Sequence, residues 1–560
     1  MKPLYWRIVD VVIVLALGLV SGIWFTWHHA FGAYGDDSPG YIYSAHQLLI
    51  GDDLVQQDPL VQTALDYFGS EPYARFVAPA HHEIISPTGW IASRYPIGLS
   101  LLMAGMAKLI GDTTGIYLVV PLLAVMVVLL TYLGAIWVFP LPPVWKRLVG
   151  LGSASIVIGS NLFANNAVAQ PMREIPSMAF ILLAFYGLVW ALKHTNWKLA
   201  VGLIFAGALF GLAVGIRETT AILLIPFTLY GVLHVSQRRL KTALWFVIGC
   251  VLGYAVFIVQ AVDITWHKEA FRDKDVTRIA VTANFDHIQS LAIHNLWDNQ
   301  GKFKPGVGGL QQYWEVMQQF SPWFLFLPGV LLGLVYCWYH QRNWFWVLGS
   351  WLVSVVGLFG MWINPYARYI LPILPIVAWL SVLGVMYLWE LFIRKLQLQR
   401  FTSSLLLFLV AVSFVVAYQP SFAAQQERLL SGLPIDRELT KTDLEVIQAN
   451  VDTLLTDSQT TGKPPMLLML GETKGGLAET IMTHSNVRVI RFPNKDKEQP
   501  PYDQLTAFLD QLEQTNTLYL WYDPSVTALE QRYYNEQTLQ PVATFNTSFA
   551  SNISILRIIQ

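Results

Sequence analysis

The chain has 560 residues, 54% of them hydrophobic and 13% charged, with a formal net charge of −1 and a mean hydropathy of +0.45. Soluble domains carry about 25% charged residues, so roughly half the usual solvating surface is missing, and the apolar residues run in long blocks that exclude an ordinary soluble enzyme. The near-zero charge and the lack of a basic tract exclude bulk attraction to nucleic acid. Cys250 and Cys337 both lie inside apolar blocks, which excludes a disulfide scaffold and zinc spacing.

Lys2 and Arg7 precede an apolar run from Ile8 to about Trp27, interrupted early by Asp10. The run exceeds the roughly 7–15 residues of a signal-peptide core and no small-x-small site follows, so it reads as a retained first helix. Further spans of about 20 residues are predicted at 115–139, 148–166, 177–192, 199–216, 219–235, 242–262, 323–340, 343–362, 370–390 and 402–419. The fold class is therefore an all-α polytopic membrane bundle of about 11 transmembrane helices. Two long loops interrupt it, 28–114 and 263–322. Within the first, Ile97 to Ile110 is about 14 apolar residues, too short to cross, and is expected to be a re-entrant or interfacial helix. With the N-terminus cytoplasmic, alternate short loops carry Lys146/Arg147, Lys193/Lys198, Arg238/Arg239/Lys241, Arg342 and Arg394/Lys395/Arg400, a repeated positive-inside pattern. A bacterial plasma (inner) membrane is expected, since no eukaryotic retention signal is seen.

From about Pro420 the composition turns polar. Strand-like runs follow at Met466–Leu470, Val487–Phe492, Thr517–Tyr522, Val542–Phe545 and Ile553–Ile559, and Leu505, Phe508, Leu509 and Leu512 recur at helical spacing. A small α/β soluble domain is predicted over 420–560, outside the membrane, after a membrane domain over 1–419. Gly471, Gly475 and Gly476 lack the spacing of a nucleotide loop and read as a turn.

Charges at a membrane boundary are costly to bury, so their clusters are functional candidates. Asp36 and Asp37 stand just beyond the first helix, where paired carboxylates can act as a base or hold a divalent cation; a solvated loop with a helix cap at Asp37 or Ser38 is the plain alternative. Arg173-Glu174 and Arg217-Glu218 sit in short outer turns, where capping of helix ends competes with function. Arg368, flanked by Tyr366 and Tyr369, can hold a phosphate by bidentate hydrogen bonds or anchor at the interface. Arg94-Tyr95-Pro96 leads into the short helix. His81 and His82 just upstream are adjacent, so they diverge on most backbones and make a poor metal pair.

Taken in order, these features resemble the glycosyltransferase C superfamily of polytopic transferases, whose members include protein O-mannosyltransferases, the lipid A aminoarabinose transferase and oligosaccharyltransferase catalytic subunits. The resemblance covers most of the membrane region. It rests on Asp37-Ser38-Pro39-Gly40-Tyr41 opening the first outer loop, on Arg94-Tyr95-Pro96-Ile97-Gly98, on Glu174 as a second acidic site, and on Arg368-Tyr369-Ile370-Leu371-Pro372-Ile373-Leu374-Pro375. Two departures stand out: Asp-Asp where some members have Asp-Glu, and Glu at the second site rather than Asp.

The resemblance implies inverting transfer of a sugar from a polyprenyl-phosphate donor to a hydroxyl on a glycan, lipid or protein acceptor at the outer face of the bilayer. Asp37, Asp36 and Glu174 would be the catalytic carboxylates, and a divalent cation on them stays open. Arg368 and Tyr369, with Arg217 and Arg94, would bind the donor phosphate; Tyr41, Arg173 and Tyr95 would orient the acceptor. Loop 263–322 would close over the site. A secondary transporter or flippase fits less well, because the charges gather at one face and no repeat is visible. A polysaccharide polymerase or ligase is close in chemistry. A non-enzymatic assembly protein would act through its C-terminal domain, whereas a transferase would keep some catalysis without residues from Pro420 onward.

Overall fold

The computed structural model describes residues 2–27, 29–32, 37–79, 81–169, 171–234, 239–268, 323–360, 366–395, 439–470, 477–485, 487–492, 500–523, 526, 528–547 and 552–559, together with 423, 426, 427 and 430. The first helix, α1 (Lys2–Thr26), is followed by α2 (Ser38–Ile50) and by a small outer lobe. That lobe holds β1 (Val55–Gln57), α3 (Pro59–Phe68), α4 (Glu71–Ala74), β2 (His82–Ile84) and β3 (Trp90–Ser93). Its antiparallel sheet, in the order β1-β3-β2, sets Val55 opposite Ala92 and His82 opposite Ser93. Strands this short carry too little alternation to be read from sequence. The short apolar stretch forms α5 (Gly98–Ile110), 13 residues and too short to cross a bilayer.

The bundle continues with α6 (Val119–Val138), α7 (Pro143–Gly159), α8 (Asn161–Val168), α9 (Glu174–Ala191), α10 (Asn196–Ile216), α11 (Leu224–His234) and α12 (Arg239–His267). Then come α13 (Trp323–His340), α14 (Arg342–Gly360) and α15 (Leu374–Lys395). Among the described residues six helices are long and apolar enough to cross a membrane, or seven if α7 and α8, bent by 61° at Ser160, form one span. The expected count of about 11 is thus not reached among the described residues. The pieces 218–234 and 327–340 are apolar but short, and the span expected at 402–419 lies outside the described residues. So does nearly all of loop 263–322, whose start belongs to α12 instead.

Helices α10 and α12 pack backbone to backbone. Gly207 and Gly211 face Gly249 and Gly253, and a Cβ at any of the four would collide with the opposing main chain. Small residues at four-residue spacing permit such close approach, which supplies the packing that holds helices together in lipid. At the far end from α2, Arg147 of α7 is buried rather than free. Its Nη2 lies 2.5 Å from Asp10 Oδ2 on α1, its guanidinium stacks 4.2 Å over Trp6, and the Tyr132 hydroxyl donates to Asp10 Oδ1 at 2.9 Å. A residue that reads as a plain inner-loop base is therefore the partner of the one acidic residue in the first apolar run.

The C-terminal part comprises α16 (Lys441–Thr461), β4 (Pro465–Leu470), α17 (Leu477–His484), β5 (Arg488–Arg491), α18 (Tyr502–Thr515), β6 (Thr517–Tyr522), α19 (Ala528–Glu536), β7 (Leu539–Phe545) and β8 (Ile553–Ile558). The sheet order is β5-β4-β6-β8-β7, with β4 parallel to β5 and β6, and β8 antiparallel to β6 and β7. Alternation along each strand feeds two cores. Leu467, Met469, Tyr519 and Trp521 face α16 and α17, and the same core takes in Tyr43 of α2. Met466, Leu468, Leu518 and Leu520 face α18, and their core includes Val61, Leu65, Val77, Ile84 and Ile91 of the outer lobe. Phe508 sits among Tyr67, Phe68 and Phe76, and Arg488 Nη2 reaches Asp58 Oδ2 at 2.6 Å and the Val77 carbonyl at 2.7 Å. The C-terminal part and the first outer loop are thus one packed body, seated through α17 on α2.

Candidate active site

Helix α2 starts at Ser38 with Pro39 in its first turn, where the missing N–H of proline leaves one orphan donor fewer. Asp37 holds the capping position, yet its side chain caps nothing. It turns away instead: Oδ1 accepts from the Tyr95 hydroxyl at 2.6 Å, and Oδ2 accepts from Arg368 Nη2 at 3.1 Å. The capping alternative accounts for its place in the chain but not for its carboxylate.

Arg368 comes from the other end of the bundle sequence, on a 3-10 segment Ala367–Ile373 that precedes α15. Its guanidinium serves both carboxylates. Nε lies 3.3 Å from Glu174 Oε1, and the group stands 5.0 Å from the Tyr366 ring and 5.6 Å from Tyr369. Glu174 is the first residue of α9 and is buried; its Oε1 also lies 3.0 Å from Arg217 Nη1. Arg217 adopts extended backbone (φ −150°, ψ 110°) where α10 stops, and its Nε donates to Thr219 Oγ1 at 3.0 Å while its guanidinium faces Tyr369 at 4.8 Å. Arg173 pairs with Glu218 at 3.3 Å and lies over the rings of Tyr95 at 5.1 Å and Tyr41 at 5.5 Å. Five charged side chains from three distant turns therefore meet with Asp37 at one end of the bundle.

Burial works against ionisation of Asp37, but Arg173, the Tyr95 hydroxyl and Arg368 together outweigh it and hold the carboxyl below its ordinary value. Burial, then the neighbouring Asp37 carboxylate, drives Tyr95 the other way, so its phenol stays protonated and acts as a donor. Five polar atoms in the cluster are buried without a hydrogen-bond partner: Glu174 Oε2, Glu218 Oε1, the Tyr41 hydroxyl, Arg217 Nη1 and Arg368 Nε, the two nitrogens lying near Glu174 but misaligned for a hydrogen bond. Unsatisfied buried groups mark where a ligand's own polar atoms fit.

Of the residues singled out from sequence, Asp37, Tyr41, Tyr95, Arg173, Glu174, Arg217, Arg368 and Tyr369 come together. Asp36 lies outside the described residues. Arg94 stands beside the cluster, where its charge acts on His81 and Tyr95. His81 and His82 do diverge: His82 Cα pairs with Ser93 in the sheet and its ring meets Tyr43, while His81 Nδ1 lies 3.2 Å from the Tyr95 hydroxyl. Among the described residues no group of three His, Cys, Asp or Glu is arranged to hold a metal ion, and Arg368 bridges the two carboxylates that would have to share one.

Sequence reasoning passed over Glu218 as a site member and Gln260 altogether. Gln260 accepts from the Ile97 N–H at 3.2 Å and donates to the Tyr95 carbonyl at 3.3 Å, fixing the Tyr95 turn to α12. A lone amide in the apolar run of α12 was the available signal.

No protein-family model and no curated protein matches the chain. Solved structures do. The chain is similar to ArnT from Cupriavidus metallidurans, solved with undecaprenyl phosphate bound, at 13% identity and a TM-score of 0.55 over 98% of this chain and 97% of that one. It is similar to the oligosaccharyltransferase AglB from Archaeoglobus fulgidus, solved with an inhibitory peptide and a dolichol-phosphate, at 13% identity and a TM-score of 0.56 over 92% of this chain and 69% of that one. It is also similar to the arabinofuranosyltransferase AftD from Mycobacteria, at 13% identity and a TM-score of 0.53 over 98% of this chain and 40% of that one. The chain therefore shares its fold with these solved structures, in keeping with the resemblance to the glycosyltransferase C superfamily read from its motifs.

Proposed function

We propose that this protein is an inverting membrane glycosyltransferase that moves a sugar from a polyprenyl-phosphate donor to an acceptor hydroxyl. The carrying observation is that Arg368 links Asp37 and Glu174, the three drawn from distant segments, beside Arg173 and Arg217. A prenyl tail partitions into the bilayer and leaves its phosphate at the interface, where a guanidinium cluster at one end of a bundle can meet it. The fold neighbours solved with undecaprenyl phosphate and dolichol-phosphate favour this donor class.

In the reaction, the acceptor oxygen forms a bond to the anomeric carbon while the bond from that carbon to the phosphate oxygen breaks, and the configuration inverts. The electron pair leaves with the lipid phosphate, whose growing charge meets the N–H groups of Arg217 and Arg368 that lack an aligned acceptor. The acceptor proton passes to Asp37, the general base. Glu174 Oε2 and the Tyr41 hydroxyl offer hydrogen bonds to sugar or acceptor hydroxyls. The catalytic end then faces away from the cytoplasm, as the basic loops at the other end would have it.

The test is release of polyprenyl phosphate from radiolabelled polyprenyl-phosphate sugars by the protein in nanodiscs, read beside mass spectrometry of cell-envelope glycans with and without the gene product. Wild-type protein is expected to release lipid phosphate and Asp37→Asn to lose at least about a hundredfold in rate. Equal turnover by Asp37→Asn removes the assigned base. No release from any such donor, with unchanged glycans, removes the transferase reading.

A further inference from the structure

The histidine upstream of Tyr95 has no place in the reaction as derived above, and the hydrogen-bond count around Tyr95 gives it one. Tyr95 owns a single hydroxyl proton, and it donates that proton in a hydrogen bond to Asp37 Oδ1, 2.6 Å away. An ionised carboxylate only accepts. The second contact of the Tyr95 oxygen, to His81 Nδ1 at 3.2 Å, therefore has the imidazole as donor. Two further features hold His81 there. Its backbone is left-handed, with φ 57°, and its carbonyl accepts from the Arg94 N–H at 2.8 Å. Gly40 gives it room: a Cβ at position 40 would lie 2.8 Å from the His81 Cβ and 3.2 Å from the Tyr95 ring.

We propose that His81 is a positioning residue for the base, its Nδ1–H fixing the Tyr95 hydroxyl so that the phenol O–H stays directed at Asp37 and aims the carboxylate. This rests on the transferase reading for its kinetic consequence, but not for the hydrogen bond itself. The Nδ1–H tautomer of a neutral imidazole suffices for this bond, and burial pushes His81 down to about 4 against the pull of Asp37 and Glu479, which keeps the ring neutral. The ring is also faced by the Arg491 and Arg94 charges; Glu479 and Arg491, an ion pair of the C-terminal part, thus reach the edge of the site.

Three variants test it. His81→Ala removes the donor. His81→Asn keeps an N–H near the Nδ1 position and tolerates the left-handed backbone. Tyr95→Phe removes the link. His81→Ala is expected to lower kcat on the order of tenfold with KM for the donor little changed, and to move the acid limb of the kcat–pH profile upward; His81→Asn is expected to restore most of both. In the Tyr95→Phe background, His81→Ala is expected to add nothing, because the coupling runs through the lost hydroxyl. Nitrogen-15 NMR of histidine-labelled protein, with His81→Asn identifying the signal, is expected to show Nδ1 protonated and Nε2 bare. A bare Nδ1, or full additivity of His81→Ala with Tyr95→Phe, overturns the proposal. An inactive wild type with a protonated Nδ1 at His81 would instead unseat the transferase reading and leave the hydrogen bond standing.

Discussion

Asp37 can take a proton only while it is ionised, and its surroundings decide over what range of pH that holds. Burial raises the carboxyl and the Arg173, Tyr95 and Arg368 contacts lower it, with a net depression. A depressed value keeps the proposed base charged into mildly acidic solution. Tyr95→Phe deletes one of the lowering contacts, so Asp37 should protonate at higher pH, and the acid limb of the transfer rate should move upward with little change on the alkaline side. A pH–rate profile of the variant checks the sign. The same site shows why residue types alone did not resolve the cluster. Asp37 occupies a helix-capping position and Glu174 opens a helix, so capping explained both equally well from sequence. Only the position of Arg368, 3.1 Å from one and 3.3 Å from the other, sets the two carboxylates apart from plain helix caps.

At the scale of elements, the contact between α10 and α12 sets the position of the Tyr95 turn, because Gln260 on α12 holds the Ile97 N–H and the Tyr95 carbonyl. That contact depends on glycines whose missing side chains let backbones touch. Gly211→Leu places a branched side chain against the Cys250 main chain and cannot be absorbed by a rotamer change. The helices must separate, and Gln260 must move with α12. Loss of transfer together with a lower melting temperature in detergent is the expected outcome, whereas Gly231→Ala, at a position with open space around it, should leave both unchanged. The Asp10–Arg147 pair does comparable work at the opposite end for α1, most of whose surface is otherwise unburied by protein.

For the molecule as a whole, the joined cores of the outer lobe and the C-terminal part change what truncation should do. Removing 420–560 strips the cover from Val61, Leu65, Val77, Ile84 and Ile91. Each large apolar side chain left in water costs about 1.5–3 kcal/mol, and the outer lobe is too small to repack. The truncated chain is therefore expected to aggregate on size-exclusion chromatography and to lose transfer, not to retain part of it as an independent bundle would. The joint also carries a pH dependence. His484 of α17 meets Thr113 at 2.8 Å and the Tyr117 hydroxyl at 3.1 Å, and burial pushes it down to about 4 from an ordinary 6.5. Between those values the unfolded chain holds a proton that the folded chain refuses, so stability falls as pH drops from about 6.5 toward 4. His46, lowered by burial as well, adds in the same direction. Thermal melts across that interval should show the decline, and His484→Gln should flatten it in part.

The apolar blocks, the basic loops and the strand-like runs after Pro420 were legible in the residues alone, because hydropathy and period-two alternation are local properties of the chain. All five C-terminal strands and the short helix after Tyr95-Pro96 follow from them. The number of crossing helices did not follow, since a 61° bend at Ser160 and the short pieces at 218–234 and 327–340 are products of packing. Nor did the pairing of Asp10 with Arg147, the shared core of lobe and sheet, or the choice of Arg368 as the link between Asp37 and Glu174. Those are contacts between residues more than a hundred positions apart, and sequence spacing carries no record of which distant turns a fold will bring into contact.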